Sequence, residues 1–371
     1  MASWSAATAY RLTQPFRIEA VEREVKRERA DDVLVRPRMT GVCASDLKLY
    51  AGTRDRRALS RKLPIALLHE GVGEVVESGP SAGHRPGTRV VVVPNIPCYV
   101  AYPERYHSRA EACAACRPGG AGENYCLDHL YLSSNTDGLA QTVLRHPGAL
   151  VVPVPPDVPD EIAVLTEPLT TIVAGCEKVG IRPGCRCLIL GNGPLALLVA
   201  VALGSFYGVQ REAICMSGHG WEFRAATPSF VGSVVDATDP DAFAALRDGI
   251  DVAFECVGGD ANQDTLEQAI ECLRPGGTAV LFGPSERSIP FNTRELIGKG
   301  LAFVGRNRSY VPHFAYVTER LREPGLQALL AQVRSPEHFY VRTAEDLNHA
   351  LYHAWTKRDG GKTVIAWGGP E

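Results

Sequence analysis

Short apolar blocks at 33–40 (VLVRPRMT), 72–77 and 90–93, each closed by glycine or proline, predict β-strands in a turn-rich first part of the chain. The stretch VVPVPPDVPDE, Val151 to Glu161, then predicts an extended connector near a domain boundary, because proline fixes its own φ and disfavours helix in the residue before it. From about Leu169 the pattern changes. Leu169–Val179 reads as a helix ended by Gly180, Cys187–Leu190 as a strand and Leu195–Ala202 as a helix. Strands follow at 213–216, 252–255 and 278–282, with a helix over 264–273 between the last two. Apolar strands alternating with helices predict a doubly wound α/β sheet. After about 308 the pattern is mixed and ends in an apolar strand at 363–367, which periodicity alone assigns to neither unit.

With 371 residues, 45% of them hydrophobic, the chain has material for two domains and a cleft between them. A net charge of -3 argues against general nucleic-acid binding, since there is no basic surplus to neutralise phosphates. The longest apolar stretch, 188–204, is short for a membrane span and is broken by glycine, proline and asparagine, so it reads as strand, turn and helix. The N-terminus lacks the features of a secretory signal, and cytoplasmic residence is the expectation. Eleven cysteines, an odd number, then favour metal ligands and buried thiols over a disulfide framework.

The strand CLIL runs into GNGPLA. There Gly191 suits a tight turn, Gly193 lets backbone approach a pyrophosphate, and the helix beginning at Pro194 and Leu195 offers its N-terminus to the anion. The strand leading to Cys256 and Val257 borders the same crevice. NAD sites place an acid at the end of the next strand, whereas this chain has Ser217 and His219 there, with Arg224 downstream. No carboxylate repels a 2′-phosphate, which favours NADP(H) over NAD(H).

Cys43, His69, Glu70 and Glu167 offer the S, N and O donors of a catalytic zinc with an open position. Taken singly, a cysteine such as Cys43 is more often a buried thiol and a glutamate such as Glu167 more often a surface carboxylate. Adjacent His69 and Glu70 point to opposite faces of a strand unless a turn presents both.

The chain resembles the zinc-dependent medium-chain alcohol and polyol dehydrogenases along essentially its whole length. The residues that carry this are GVCASD (Gly41 to Asp46), LHEGVG (Leu68 to Gly73), Glu167-Pro168, LRPGGT and the terminal GKTVIAW. A narrower resemblance, to ribulose-5-phosphate reductases, rests on YAGTRDRRALSRKLPIALLHEGVGEVV, VVPNIP, FECVGG, the NTR at Asn292 to Arg294 and the same terminus. The resemblance implies a GroES-like catalytic domain from 1–165 and 308–371, with a Rossmann domain inserted over 166–307. It implies a metal held by Cys43, His69, Glu70 and Glu167, and a proton relay through Ser45. Leu68 departs from the glycine usual in the superfamily, and Pro168 is a polyol-dehydrogenase-like feature.

Cys98, Cys113, Cys116 and Cys126 fall where many relatives hold a structural zinc, although the spacing is longer here. The other readings are free or paired thiols, or His107 or His129 in place of one thiolate. Arg54, Arg306 and Arg308 are the expected contacts to a substrate phosphate. The expected activity is NADPH-dependent reduction of D-ribulose 5-phosphate to D-ribitol 5-phosphate by a homodimer or tetramer. The alternatives are a dehydrogenase of another polyol, sugar or cyclitol, and a non-catalytic zinc- and nucleotide-binding protein.

Overall fold

The computed structural model of the chain describes residues 4–54, 56–220, 228–290, 292–357 and 360–368. Six parallel strands form one sheet, in the order Ser233–Asp236, Ile214–Gly218, Cys187–Leu190, Ile250–Glu255, Leu273–Leu281 and Ala302–Gly305. The first of these in the chain, Cys187–Leu190, is apolar at every position because both faces are covered. Cys187 and Ile189 join one core, and Leu188 and Leu190 the other. The chain continues to one side of this strand and later returns on the other, which opens a crevice at its C-terminal end.

The helix Pro194–Tyr207 starts with proline in its first turn and stops at Gly208, which has φ 65°. It runs past the Ala202 expected from periodicity. The helix Thr166–Val179 also begins earlier than expected and takes Glu167 and Pro168 into its first turn, where a missing N–H breaks no helical hydrogen bond.

A second sheet is built in the order Val151–Pro153, Arg89–Val92, Glu70–Ser78, Asp32–Gly41, Val364–Trp367 and Phe339–Val341, with Leu144–Pro147 also paired to Asp32–Gly41. The tail is divided between the layers. Its strands extend this second sheet, whereas Phe314, Val317, Leu326 and Leu330 from Val311–Arg320 and Pro324–Ala331 pack in one core with Leu169 and Leu197. The Pro-rich stretch is not extended throughout. Its start is the edge strand Val151–Pro153, and its end enters the short helix Asp160–Ala163. Among the described residues, no helix is long and apolar enough to cross a membrane.

One buried polar group in this sheet gives the fold a pH dependence. His146 is 1% exposed and donates from Nε2 to the Val93 carbonyl at 3.0 Å, and burial pushes its pKa down to about 4. As pH falls from about 6.5, the unfolded chain takes up a proton that the folded ring refuses until about 4. Stability contributed by the neutral ring is therefore present above that window and lost within it, by about 1.4 kcal/mol per pH unit. Chemical denaturation of the wild type and of His146→Gln between pH 4 and 7 is expected to show the steeper loss in the wild type; parallel curves would refute it.

Candidate active site

The register of three strands brings the sequence-predicted metal donors together. Gly41, at the end of Asp32–Gly41, is paired with Glu70 on one side and with Val364 on the other. Cys43 follows the first strand, His69 precedes the second and Lys362 precedes the third, so all converge at one sheet edge. Donor atoms of Cys43, His69 and Glu70 lie within 4.8 Å of one another, with His69 and Glu70 buried. A strand end lets the adjacent His69 and Glu70 face the same centre.

Lys362 was missed by the sequence reading, although its GKT segment was noted. It is buried, and its Nζ lies 2.6 Å from each Glu70 carboxylate oxygen. Burial would lower the amine pKa, but Glu70, then Cys43 and Glu167, hold it above the usual value. Gly41 is required for this approach: a Cβ there would sit 2.4 Å from Glu70 Oε2 and 3.1 Å from Lys362 Cε.

Asp46 is the second residue the motif contained without revealing its role. It sits in the first turn of Ala44–Tyr50, fully buried, with Oδ1 3.5 Å from His69 Nδ1. Ser133 Oγ donates to the same oxygen at 2.5 Å, as does the Leu68 N–H at 3.1 Å, while the Cys43 N–H donates to Oδ2 at 3.1 Å. Burial favours the neutral acid, but His69 and these donors outweigh it and lower the Asp46 pKa. Burial likewise opposes a charged His69, and Asp46 reverses it, raising the imidazole well above its usual value. A carboxylate on Nδ1 turns the other ring nitrogen towards the metal donors.

Leu68 has φ 71°, in the left-handed region where the superfamily glycine would be unstrained. Its side chain is fully buried, which offsets that cost. Leu68→Gly relieves about 1–2 kcal/mol of backbone strain but forfeits about 2–5 kcal/mol of packing, so net destabilisation is expected. A higher denaturation midpoint for Leu68→Gly would overturn this.

Glu167 lies outside the three-donor set and is held differently. Its Oε1 accepts from the Tyr131 hydroxyl at 3.1 Å. Burial, reinforced by Glu70 and opposed by His69 and Lys362, pushes its pKa up to about 7. Tyr131 was not anticipated; its ring also lies 5.5 Å from that of His69. Ser45 stands half-buried in the first helical turn, and its hydroxyl makes no hydrogen bond among the described residues. The mixed thiol, imidazole and carboxylate donor set fits a zinc ion.

In the α/β unit, Gly191 has φ 114° and donates its N–H to the Ser217 carbonyl at 2.9 Å. Gly193 caps Pro194–Tyr207, and nothing lies within 4 Å of the Cβ it lacks, which leaves room for a pyrophosphate at the helix N-terminus. Pro194 and Leu195 form the first turn. Cys256 donates its N–H to Leu190, and Val257 its N–H to the Glu255 carboxylate, so both border the crevice. Ser217 ends up buried and His219 exposed at the neighbouring strand end. The nearby Asp236 carboxylate accepts from Thr238 N and Oγ1 at 2.7 and 2.6 Å. Arg224 lies outside the described residues.

Cys98, Cys113, Cys116 and Cys126 converge to within 4.8 Å, a set of thiols that fits a closed tetrahedral zinc site. Neither His107 nor His129 joins them; His129 Nδ1 donates to the Cys126 carbonyl at 2.9 Å. Burial would raise the Cys113 pKa, but the N–H groups of Leu127, Cys116 and Ala115 bring it down to about 6.

The three expected phosphate arginines separate. Arg306 is engaged by Tyr125, donating to its hydroxyl at 3.1 Å and lying over its ring. Arg308 lies 5.7 Å over the Tyr131 ring. Arg54 Nε, Arg306 Nε and Arg308 Nη1 are each buried without a hydrogen-bond partner.

Residues 29–156 match the alcohol dehydrogenase GroES-like domain, and residues 200–323 the zinc-binding dehydrogenase family. The chain is 33% identical over 366 residues to ribulose-5-phosphate reductase 1 of Staphylococcus aureus, covering 96% of this chain and 98% of that protein. It is 29% identical over 361 residues to ribulose-5-phosphate reductase of Bacillus spizizenii, covering 96% and 98%. Among solved structures, S. aureus TarJ in complex with NADPH aligns with a TM-score of 0.75 at 28% identity, over 98% of this chain and 99% of that one.

Proposed function

This chain belongs to the zinc-dependent alcohol dehydrogenase family, in its ribulose-5-phosphate reductase branch, and on that premise we propose that it reduces D-ribulose 5-phosphate to D-ribitol 5-phosphate with NADPH. The observation that carries the reading is near-full-length similarity to a reductase of that name in a chain whose own Cys43, His69 and Glu70 form a metal-donor set. The division into 1–165 with 308–371 and 166–307 belongs to the proposal, supported by the tail strand Val364–Trp367, which pairs with Asp32–Gly41. So do cytoplasmic residence and a homodimer or tetramer, which sedimentation tests.

Cys43 and His69 would hold the zinc, with Glu70 or Glu167 as the oxygen ligand. When bound, the metal supplies Lewis-acid polarisation of the ketone, and the reduced nicotinamide supplies the hydride. The rest is done by the chain. Asp46 fixes the His69 ring through Nδ1, and Lys362 fixes Glu70. Ser45, with no competing partner, gives its proton to the product oxygen and regains one from solvent. Gly191, Gly193, Pro194, Leu195, Cys256 and Val257 cradle the dinucleotide. Ser217 and His219 form the end that accepts a 2′-phosphate.

NADPH consumption with D-ribulose 5-phosphate, and ribitol 5-phosphate as product, are expected of the zinc-loaded protein. Absence of turnover would reject the proposal, and preference for a neutral polyol would favour the reading that Pro168 suggests. Arg54→Ala or Arg308→Ala is expected to raise KM for the phosphosugar by roughly tenfold or more, and far more than for a neutral sugar. Equal effects on both would remove the two arginines from phosphate recognition.

A further inference from the structure

We propose that Lys62 completes an anion site with Arg54 and Arg308 that takes the phosphate of a phosphorylated ketose. The inference rests on the substrate reading above and extends it to a residue outside the expected arginine set. Lys62 ends the helix Arg56–Lys62, half-buried, and its ammonium donates to Ser134 Oγ at 2.8 Å. An ammonium has three donors, so capacity remains for a ligand.

The segment 129–135 links this ammonium to the metal donors. Asn135 closes it on itself, accepting from the Tyr131 N–H at 2.7 Å and donating to the His129 carbonyl at 3.0 Å. Tyr131 and Ser133 donate to Glu167 and Asp46, while Tyr131 also underlies Arg308 and Ser134 holds Lys62. One short loop therefore contacts two cations as well as two carboxylates beside the metal donors. A substrate that presents a carbonyl to the metal and a phosphate a few bonds away matches that arrangement.

The cations crowd one another with no ion pair to balance them. Burial, then Arg54, holds the Lys62 pKa below the usual amine value, with only the exposed Glu286 carboxylate pulling the other way. Among the described residues, none of Arg54, Lys62 and Arg308 makes an ion pair, and Arg54 and Arg308 keep buried N–H groups unpartnered. Arg308 also holds φ 60°, a conformation that costs a non-glycine residue energy. A phosphate dianion supplies both the missing charge and the missing acceptors. The dinucleotide's own phosphates are assigned elsewhere, to the Gly193 turn and the Ser217 strand end.

The test compares wild type, Lys62→Gln and Lys62→Arg on D-ribulose 5-phosphate and D-ribulose. In Lys62→Gln the ratio of kcat/KM between the phosphorylated and the neutral ketose is expected to fall roughly 10- to 100-fold, carried by KM, and Lys62→Arg to recover most of it. An unchanged ratio in a variant with wild-type thermal stability would overturn the inference. A second arm uses inorganic phosphate without substrate: it is expected to raise the melting temperature of the wild type and to lose that effect in Lys62→Gln, while an equal rise in both would overturn the inference. Failure of the wild type to reduce D-ribulose 5-phosphate would instead reject the proposed function, and the phosphate arm would still decide the site.

Discussion

His69→Ala is expected to lower kcat/KM for ketose reduction by about 10³-fold or more and to remove one zinc ion per chain. His69 offers the nitrogen donor among three donor atoms gathered within 4.8 Å, and its loss leaves too few to hold an ion that polarises a carbonyl. The fold should survive. Asp46 loses its imidazole partner but keeps Ser133 Oγ and the N–H groups of Leu68 and Cys43, so its carboxylate is not orphaned. Metal analysis beside kinetics is the check, because the four-cysteine site should retain its own ion. A variant with undiminished zinc and activity would remove His69 from the site.

Lys362→Met should act first on stability. Breaking a buried ion pair from one side leaves the other charge uncompensated, at a cost of about 3–5 kcal/mol, and Glu70 is 1% exposed with Lys362 as its ion-pair partner. The penalty should be larger in metal-free protein than in the zinc-loaded form, since a cation at the neighbouring donors supplies part of the lost charge. Denaturation of both forms, each against wild type, measures the difference. An equal or smaller loss in the metal-free protein would show that Lys362 is not what balances Glu70.

Much of the site was legible because its chemistry depends on rare residue types at fixed spacing. Cys43, His69 and Glu70 lie in two short motifs, and the turn at Gly191 and Gly193 sits between an apolar strand and an apolar helix. Tyr131, Asp46 and Lys362 were not legible, for a different reason in each case. Tyr131 lies in no motif, and its role comes from a hydroxyl reaching Glu167, 36 residues further along. Asp46 stood inside a motif whose spacing gives no reason for an acid until it is seen beside His69 Nδ1. Lys362 read as an ordinary basic residue before the last strand, yet its partner is 292 residues away.

The sequence by itself determined the alternation of elements, the parallel sheet with its phosphate turn, and the donor types for both zinc sites, since these follow from local periodicity and side-chain chemistry. Only the tertiary structure decided that the tail splits between two cores, that Glu70 lies within reach of the Cys43 and His69 donors while Glu167 is held by Tyr131, and that Arg306 turns to Tyr125 while Arg308 lies over Tyr131. Those outcomes depend on strand register and on burial, which arise between segments far apart in the chain and leave no trace in the spacing of either one.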